Sequence, residues 1–199
     1  PRCADDQGPP ILARQFLPQE MKRGRLARKA QERGHIHYAE MEGQVVRLPD
    51  KFGVRRVLLV FPHYAPSFGT LEFSYPLTDG MCANMPPQGL LVIAAYLPAS
   101  WDLRFVDENI RRATAEDFLW AEVVFVSGMH IQRRQIEDLC QRAHTFGRTA
   151  VLGGSSVSAC PHYYPTFDYL HVGELGDATD ELVKRLARDP ARPERQVML

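Results

Sequence analysis

Residues 150–161 read AVLGGSSVSACP: an apolar run leaves through Gly153 and Gly154 and then carries no bulky side chain for several residues. An ordinary surface turn needs one glycine, often with Asn or Asp beside it. Two glycines at the mouth of a short apolar run imply that something lies close against the backbone there. The run itself, four to five residues bounded by turn signals, has the form of a strand buried on both faces.

Outward from this stretch the chain alternates strands and helices. RRVLLVFP (55–62), DLRFVDEN (102–109), EVVFVSG (122–128), RTAVLGG (148–154) and FDYLHVGE (167–174) are the strands. Pro86-Pro87 opens a helix that Pro98 closes, and Thr114 with Asp117 three residues on forms a weak capping box. In IQRRQIEDLCQRAHTFG, Ile131, Ile136, Leu139, Cys140 and Ala143 fall on one helical face, with Gly147 as C-cap. DATDELVKRLARD is a last amphipathic helix, which Pro190 and Pro193 forbid to extend. The alternation predicts an α/β fold, a doubly wound parallel five-stranded sheet in the flavodoxin-like order. Ligands then sit beyond the carboxyl ends of the strands. There PHYAPSFG, ENI, SGMHIQ, GGSSVS and GELGD gather, rich in small residues.

Composition narrows the field. With 24 Lys plus Arg against 24 Asp plus Glu among 199 residues, the net charge is zero, so nothing draws the chain to nucleic acid or an anionic membrane. No apolar run nears the ~20 residues of a membrane span, and no signal peptide is visible. Cys3, Cys82, Cys140 and Cys160 are scattered, without metal-ligand spacing, as in a reduced cytoplasmic protein. Residues 1–53 differ from the rest. They hold a basic run from Lys22 to Arg33 and read as a charged, helical extension exposed to solvent. The first residue is Pro1, which fits a fragment or a processed product.

Known phosphate signatures are missing: no GxxxxGK[ST], and no GxGxxG after the first strand. In their place a long loop follows that strand, with His63, Tyr64, Phe68, Phe73 and Tyr75, suited to covering a broad, partly apolar ligand or to packing on itself.

RVLLVFP (56–62), MPPQGLLVIAAYLP (85–98), VDENI (106–110), WAEVVFVSGMHIQ (120–132), VLGGSSVS (151–158) and VGELGDATDEL (172–182) occur in an order and spacing that resemble one family. It is the N-terminal cobalamin-binding domain of B12-dependent radical SAM enzymes, and the resemblance runs from about Arg55 to Asp189. It implies a Rossmann-like cobalamin-binding domain over residues 54–189, whose bound cofactor sends its nucleotide tail down into the fold. Ser127, Gly128 and Met129 are similar to the family's serine-x-leucine element, with Met in place of Leu; His130 and Gln132 close the same segment. Gly153 and Gly154 resemble the paired glycines that let the tail pass, with Ser155 and Ser156 placed to donate to phosphate or ribose oxygens. Gly173 and Glu174 match the family's GE element, and His63, Tyr64, Ala65 and Pro66 stand where a wall beneath the corrin is expected.

The relatives that ligate cobalt through histidine carry DxHxxG after the first strand; here His63 lacks both the aspartate and the glycine. The resemblance therefore implies base-off cobalamin with no histidine on the metal. Radical SAM chemistry needs CxxxCxxC, which the chain lacks. An iron–sulfur cluster and S-adenosylmethionine are accordingly expected in a C-terminal radical SAM domain absent from this chain, with residues 190–199 as the linker. On this reading the chain is the cofactor module of a methyltransferase, with no catalytic residue and no turnover of its own. An FMN-binding flavodoxin-like protein and a non-catalytic interaction domain are the alternatives. Against FMN stands a first loop without a Ser/Thr-rich phosphate cradle. Against a receiver-type domain stands Ser127, where an aspartate would end the third strand.

Overall fold

The computed structural model describes residues 55–65 and 86–199. The N-terminal extension and most of the loop after the first strand, Pro66 included, lie outside the described residues. In chain order the elements are β1 (Arg56–Phe61), α1 (Gln88–Tyr96), β2 (Asp102–Asp107), α2 (Ala115–Trp120), β3 (Val123–Ser127), α3 (Arg133–Thr145), β4 (Thr149–Gly153), α4 (Ser155–Ala159), β5 (Tyr169–Leu170), α5 (Asp177–Arg188) and β6 (Val197–Met198). Every strand pair is parallel and the order is β2-β1-β3-β4-β5-β6. The flavodoxin-like order is therefore present, with six strands rather than five.

Strand alternation sorts the core into two layers. Val57, Leu59, Phe61, Val123, Phe125 and Val151 point to one face, where Leu90 and Leu97 from α1 and its cap, and Leu182, Val183 and Leu186 of α5, cover them. Leu58, Val60, Val124, Val126, Ala150 and Leu152 point to the other, under Phe118 of α2, Ile136, Leu139, Cys140 and Ala143 of α3, and Val157 of α4. Each such fully buried aliphatic side chain stabilises the fold by about 1.5–3 kcal/mol. β2 lies at the sheet edge, and its Leu103 and Phe105 are partly exposed.

Local signals act as read. Thr114 Oγ1 accepts from Asp117 N at 3.3 Å, and Asp117 Oδ2 accepts from Thr114 N at 3.0 Å, completing the capping box. Gly147 follows α3 with φ +67. Ile131 departs from expectation: it is exposed, because residues 130–132 form a 3₁₀ turn that rotates it off the α3 core face.

The sixth strand comes from the segment read as a linker. Val197 N donates to Asp168 O, Leu199 N to Leu170 O, and Val172 N to Leu199 O, at 2.8–2.9 Å. Arg192 Nε donates to the buried Asp168 carboxylate at 3.0 Å, and Gln196 Nε2 donates to the carbonyls of Tyr164 and Phe167. A two-residue strand inside a proline- and arginine-rich tail has no periodicity to betray it.

Candidate functional site

Parallel strands bring the described parts of the five predicted loops to one edge. The switch point lies at β1, from which the chain moves out to β2 and then crosses to β3 on the other side.

On the α1/α5 face, Ser127 ends β3 and pairs in register with Gly153, which ends β4. One strand further, Leu152 pairs with Leu170 and His171 N donates to Leu152 O at 2.8 Å, so His171 stands beside Gly153. The edge thus presents a row: a hydroxyl, a missing side chain and an imidazole. A Cβ on Gly153 would meet only His171 Cβ, at 3.9 Å, among the described residues. No other described atom comes within 4 Å of that position.

Gly154 is different. Its φ is +98, and a Cβ there would collide with Ser127 Oγ. The fold itself demands glycine at 154, whereas nothing in the described fold demands it at 153. Gly128 also answers to packing: a Cβ would lie 3.0–3.1 Å from Pro62, Gln132 and Ile136.

Gln132 is fully buried. Its Nε2 donates to Pro62 O at 2.5 Å and its Oε1 accepts from Met129 N at 2.9 Å, locking the loop after β1 to the turn after β3. Met129 packs partly buried on the α1-side core. Gln132 thus positions the edge from within, rather than facing solvent.

The loop after β1 is held from β2. Asp107 Oδ1 accepts from Asn109 N at 2.9 Å and Nδ2 at 2.7 Å, and Asn109 Oδ1 accepts from Tyr64 N at 2.9 Å. Tyr64 is buried, edge-on to Phe61 with ring centroids 5.5 Å apart, so its ring belongs to the core. Ala65 is half-buried and His63 exposed. Burial raises the Asp107 carboxyl above its ordinary range, opposed by the Asn109 hydrogen bonds and the nearby His63 charge.

After β4, Ser155 is exposed while Ser156 is buried against Tyr164, their oxygens 2.5 Å apart, with His130 Nδ1 at 3.5 Å. His130 is exposed and tilts against Tyr163, with centroids 5.5 Å apart. Gly173 N donates to Ser158 Oγ at 2.9 Å, and Gly173 and Glu174 are both exposed. Ser127, Gly153, Gly154, Ser155 and Gly173 therefore share the edge. Gly128, Gln132 and Tyr64 build it from behind.

Two members were not singled out from sequence. Gly89, in the first turn of α1, is placed so that a Cβ would touch Ser127 Oγ at 3.4 Å. His171 is the other, signalled only by a polar residue at the end of an apolar strand. Among the described residues no group of three His, Cys, Asp or Glu could hold a metal ion, and no helix is long and apolar enough to cross a membrane.

No family model matches the chain. It is 68% identical over 144 residues to the hopanoid C-2 methylase of Rhodopseudomonas palustris, which covers 72% of this chain and 27% of that protein. It is 35% identical over 106 residues to an uncharacterized methyltransferase of Synechocystis, 53% of this chain and 20% of that protein. The chain is similar to part of two methyl-transferring proteins. It spans about a quarter, or less, of the length of each.

Proposed function

We propose that this chain is the cobalamin-holding part of a B12-dependent radical SAM methyltransferase. The observation that carries the reading is Gly153 itself, at the carboxyl edge of a flavodoxin-like sheet, where a side chain would meet only His171 Cβ, at 3.9 Å, among the described residues. A planar group on a thin linker fits a site whose floor has no side chain and whose neighbours in the row are Ser127 and His171. The nucleotide tail of a base-off corrinoid has that form. The similarity to a methylase and a methyltransferase supports the reading from the side of the reaction.

When bound, the corrin supplies the metal centre that carries a methyl group. The chain's own part is to hold it. Ser127 offers a hydroxyl to the tail, Ser155 an exposed hydroxyl to its phosphate or ribose, and Gly153 room for both. No residue of this chain is assigned to cobalt, and His63 and Ala65 border the corrin from the loop after β1. Residues 54–189 are the cofactor domain, with the tail strand β6 completing the sheet. S-adenosylmethionine and an iron–sulfur cluster are assigned to a radical SAM domain beyond the cofactor domain. The methyl acceptor, a polycyclic lipid on the analogy of the Rhodopseudomonas protein's name, is recognised there.

Titration of the chain with hydroxocobalamin, followed by reduction, tests the reading. One equivalent bound, with the visible spectrum of base-off cob(II)alamin, is the expected result. Absence of binding, or stoichiometric FMN binding instead, overturns it.

A further inference from the structure

The loop after β5, residues 172–176, is held from three directions. Gly173 N donates to Ser158 Oγ of α4 at 2.9 Å, and Gly176 N donates to Thr179 Oγ1 of α5 at 3.1 Å. The first anchor comes from the C-terminal segment: Val172 N donates to Leu199 O at 2.8 Å. Gly173, at φ +93, and Glu174 are exposed between these points and take their position from them.

Leu199 is in turn fixed by contacts that lie away from the loop. β6 pairs in register with β5, Val197 with Tyr169 and Met198 with Leu170. Ahead of it, Arg192 Nε donates to Asp168 Oδ1 at 3.0 Å, and Gln196 Nε2 donates to the carbonyls of Tyr164 and Phe167 at 2.7 and 2.9 Å. Asp168 is buried, and its Oδ2 accepts from Ala150 N at 2.8 Å and lies 2.9 Å from His144 Nε2. One carboxylate therefore joins the C-terminal segment to β4 and α3 before the β6 ladder begins. A two-residue strand is marginal by itself, so its docking depends on these side chains.

We infer that Arg192, acting through Asp168 and β6, is a positioning residue for the loop 172–176. The C-terminal segment is a strap: when it docks, Leu199 O fixes Val172, and when it lifts, Gly173 and Glu174 lose one of their anchors. Docking of the segment and order in the loop are thus one local equilibrium. The consequence for the cofactor rests on the cobalamin reading above. A ligand that contacts Gly173 or Glu174 tightens the strap, and release of the strap weakens the ligand by the same factor.

Amide hydrogen exchange of the whole chain, followed by NMR without ligand, tests the coupling. Arg192 is exposed, so Arg192→Met unfastens the strap without opening the core. It is expected to speed exchange about tenfold, the scale of one lost hydrogen bond, at Val197 and Leu199 and equally at Val172 and Gly173, while β1 and β3 stay unchanged. Gln196→Met, which frees the same segment at another point, is expected to give the same pattern, and Arg192→Lys to restore much of the protection. Faster exchange at Val197 and Leu199 alone overturns the inference. So does uniform acceleration through the sheet, or no change in either Met variant. Hydroxocobalamin then probes the cofactor arm. It is expected to slow exchange at Val197 and Leu199 in the wild type and to bind Arg192→Met up to about tenfold more weakly. Equal affinity for both chains, with the loop loosened in the variant, overturns the link between strap and cofactor. A wild-type chain that binds no cobalamin refutes the cobalamin reading, and the ligand-free exchange still decides the strap.

Discussion

Gly153 and Gly154 are adjacent in sequence, yet they are glycines for different reasons. Residue 154 has φ +98 and lies against Ser127 Oγ, while residue 153 has no described neighbour closer than His171 Cβ at 3.9 Å. The described fold demands glycine at 154 and makes no such demand at 153. Gly154→Ala is expected to destabilise the ligand-free chain by about 1–3 kcal/mol through strain and collision. Gly153→Ala is expected to be neutral or to stabilise by up to about 1 kcal/mol, since it only narrows the unfolded ensemble. Urea unfolding reads both. Gly153→Val is expected to leave the fold intact and abolish cobalamin binding.

Gln132→Leu removes the two hydrogen bonds that join Pro62 to Met129. It leaves a buried carbonyl and a part-buried amide unmatched, each costing about 1–3 kcal/mol. A fall in the urea midpoint without a change of slope is expected, and corrinoid affinity should fall with it because His63 loses its anchor. An unchanged midpoint would show that the loop after β1 is held by Asp107 and Asn109 alone.

His171 makes stability depend on pH with a definite sign. Its folded pKa is depressed below the ordinary 6.5 by burial. Between the depressed value and 6.5 the unfolded chain binds more protons than the folded one, so stability rises with pH across that window and is lost on acidification. His171→Phe is expected to reduce the loss of stability between neutral and mildly acidic pH, measured as urea midpoints at a series of pH values. An unaltered pH profile would contradict the assignment.

Much of this was legible beforehand, and the limits have physical causes. The strand order follows from β-α alternation and right-handed crossovers, and the Thr114 cap and the Gly147 stop are local chemistry acting at short range. The β6 strand was not legible, because two residues pinned by Arg192 and Gln196 depend on long-range hydrogen bonds rather than pattern. Sequence grouped these loop residues together but could not tell exposed positions from packed ones. Gln132 and Gly128 look like loop residues in one dimension and prove to be packed from every side. His171 escaped because its significance lies in the register that sets it beside Gly153.

Electron paramagnetic resonance of cob(II)alamin bound to the chain tests the central claim most directly. A tail that lies over Gly153 keeps its base away from cobalt, and no histidine replaces it. The predicted spectrum therefore has no superhyperfine splitting from an axial nitrogen, in the wild type and in His63→Ala alike. A nitrogen triplet would contradict the account: one lost in His63→Ala would place that imidazole on the metal, and one that persists would mean the tail never enters the fold.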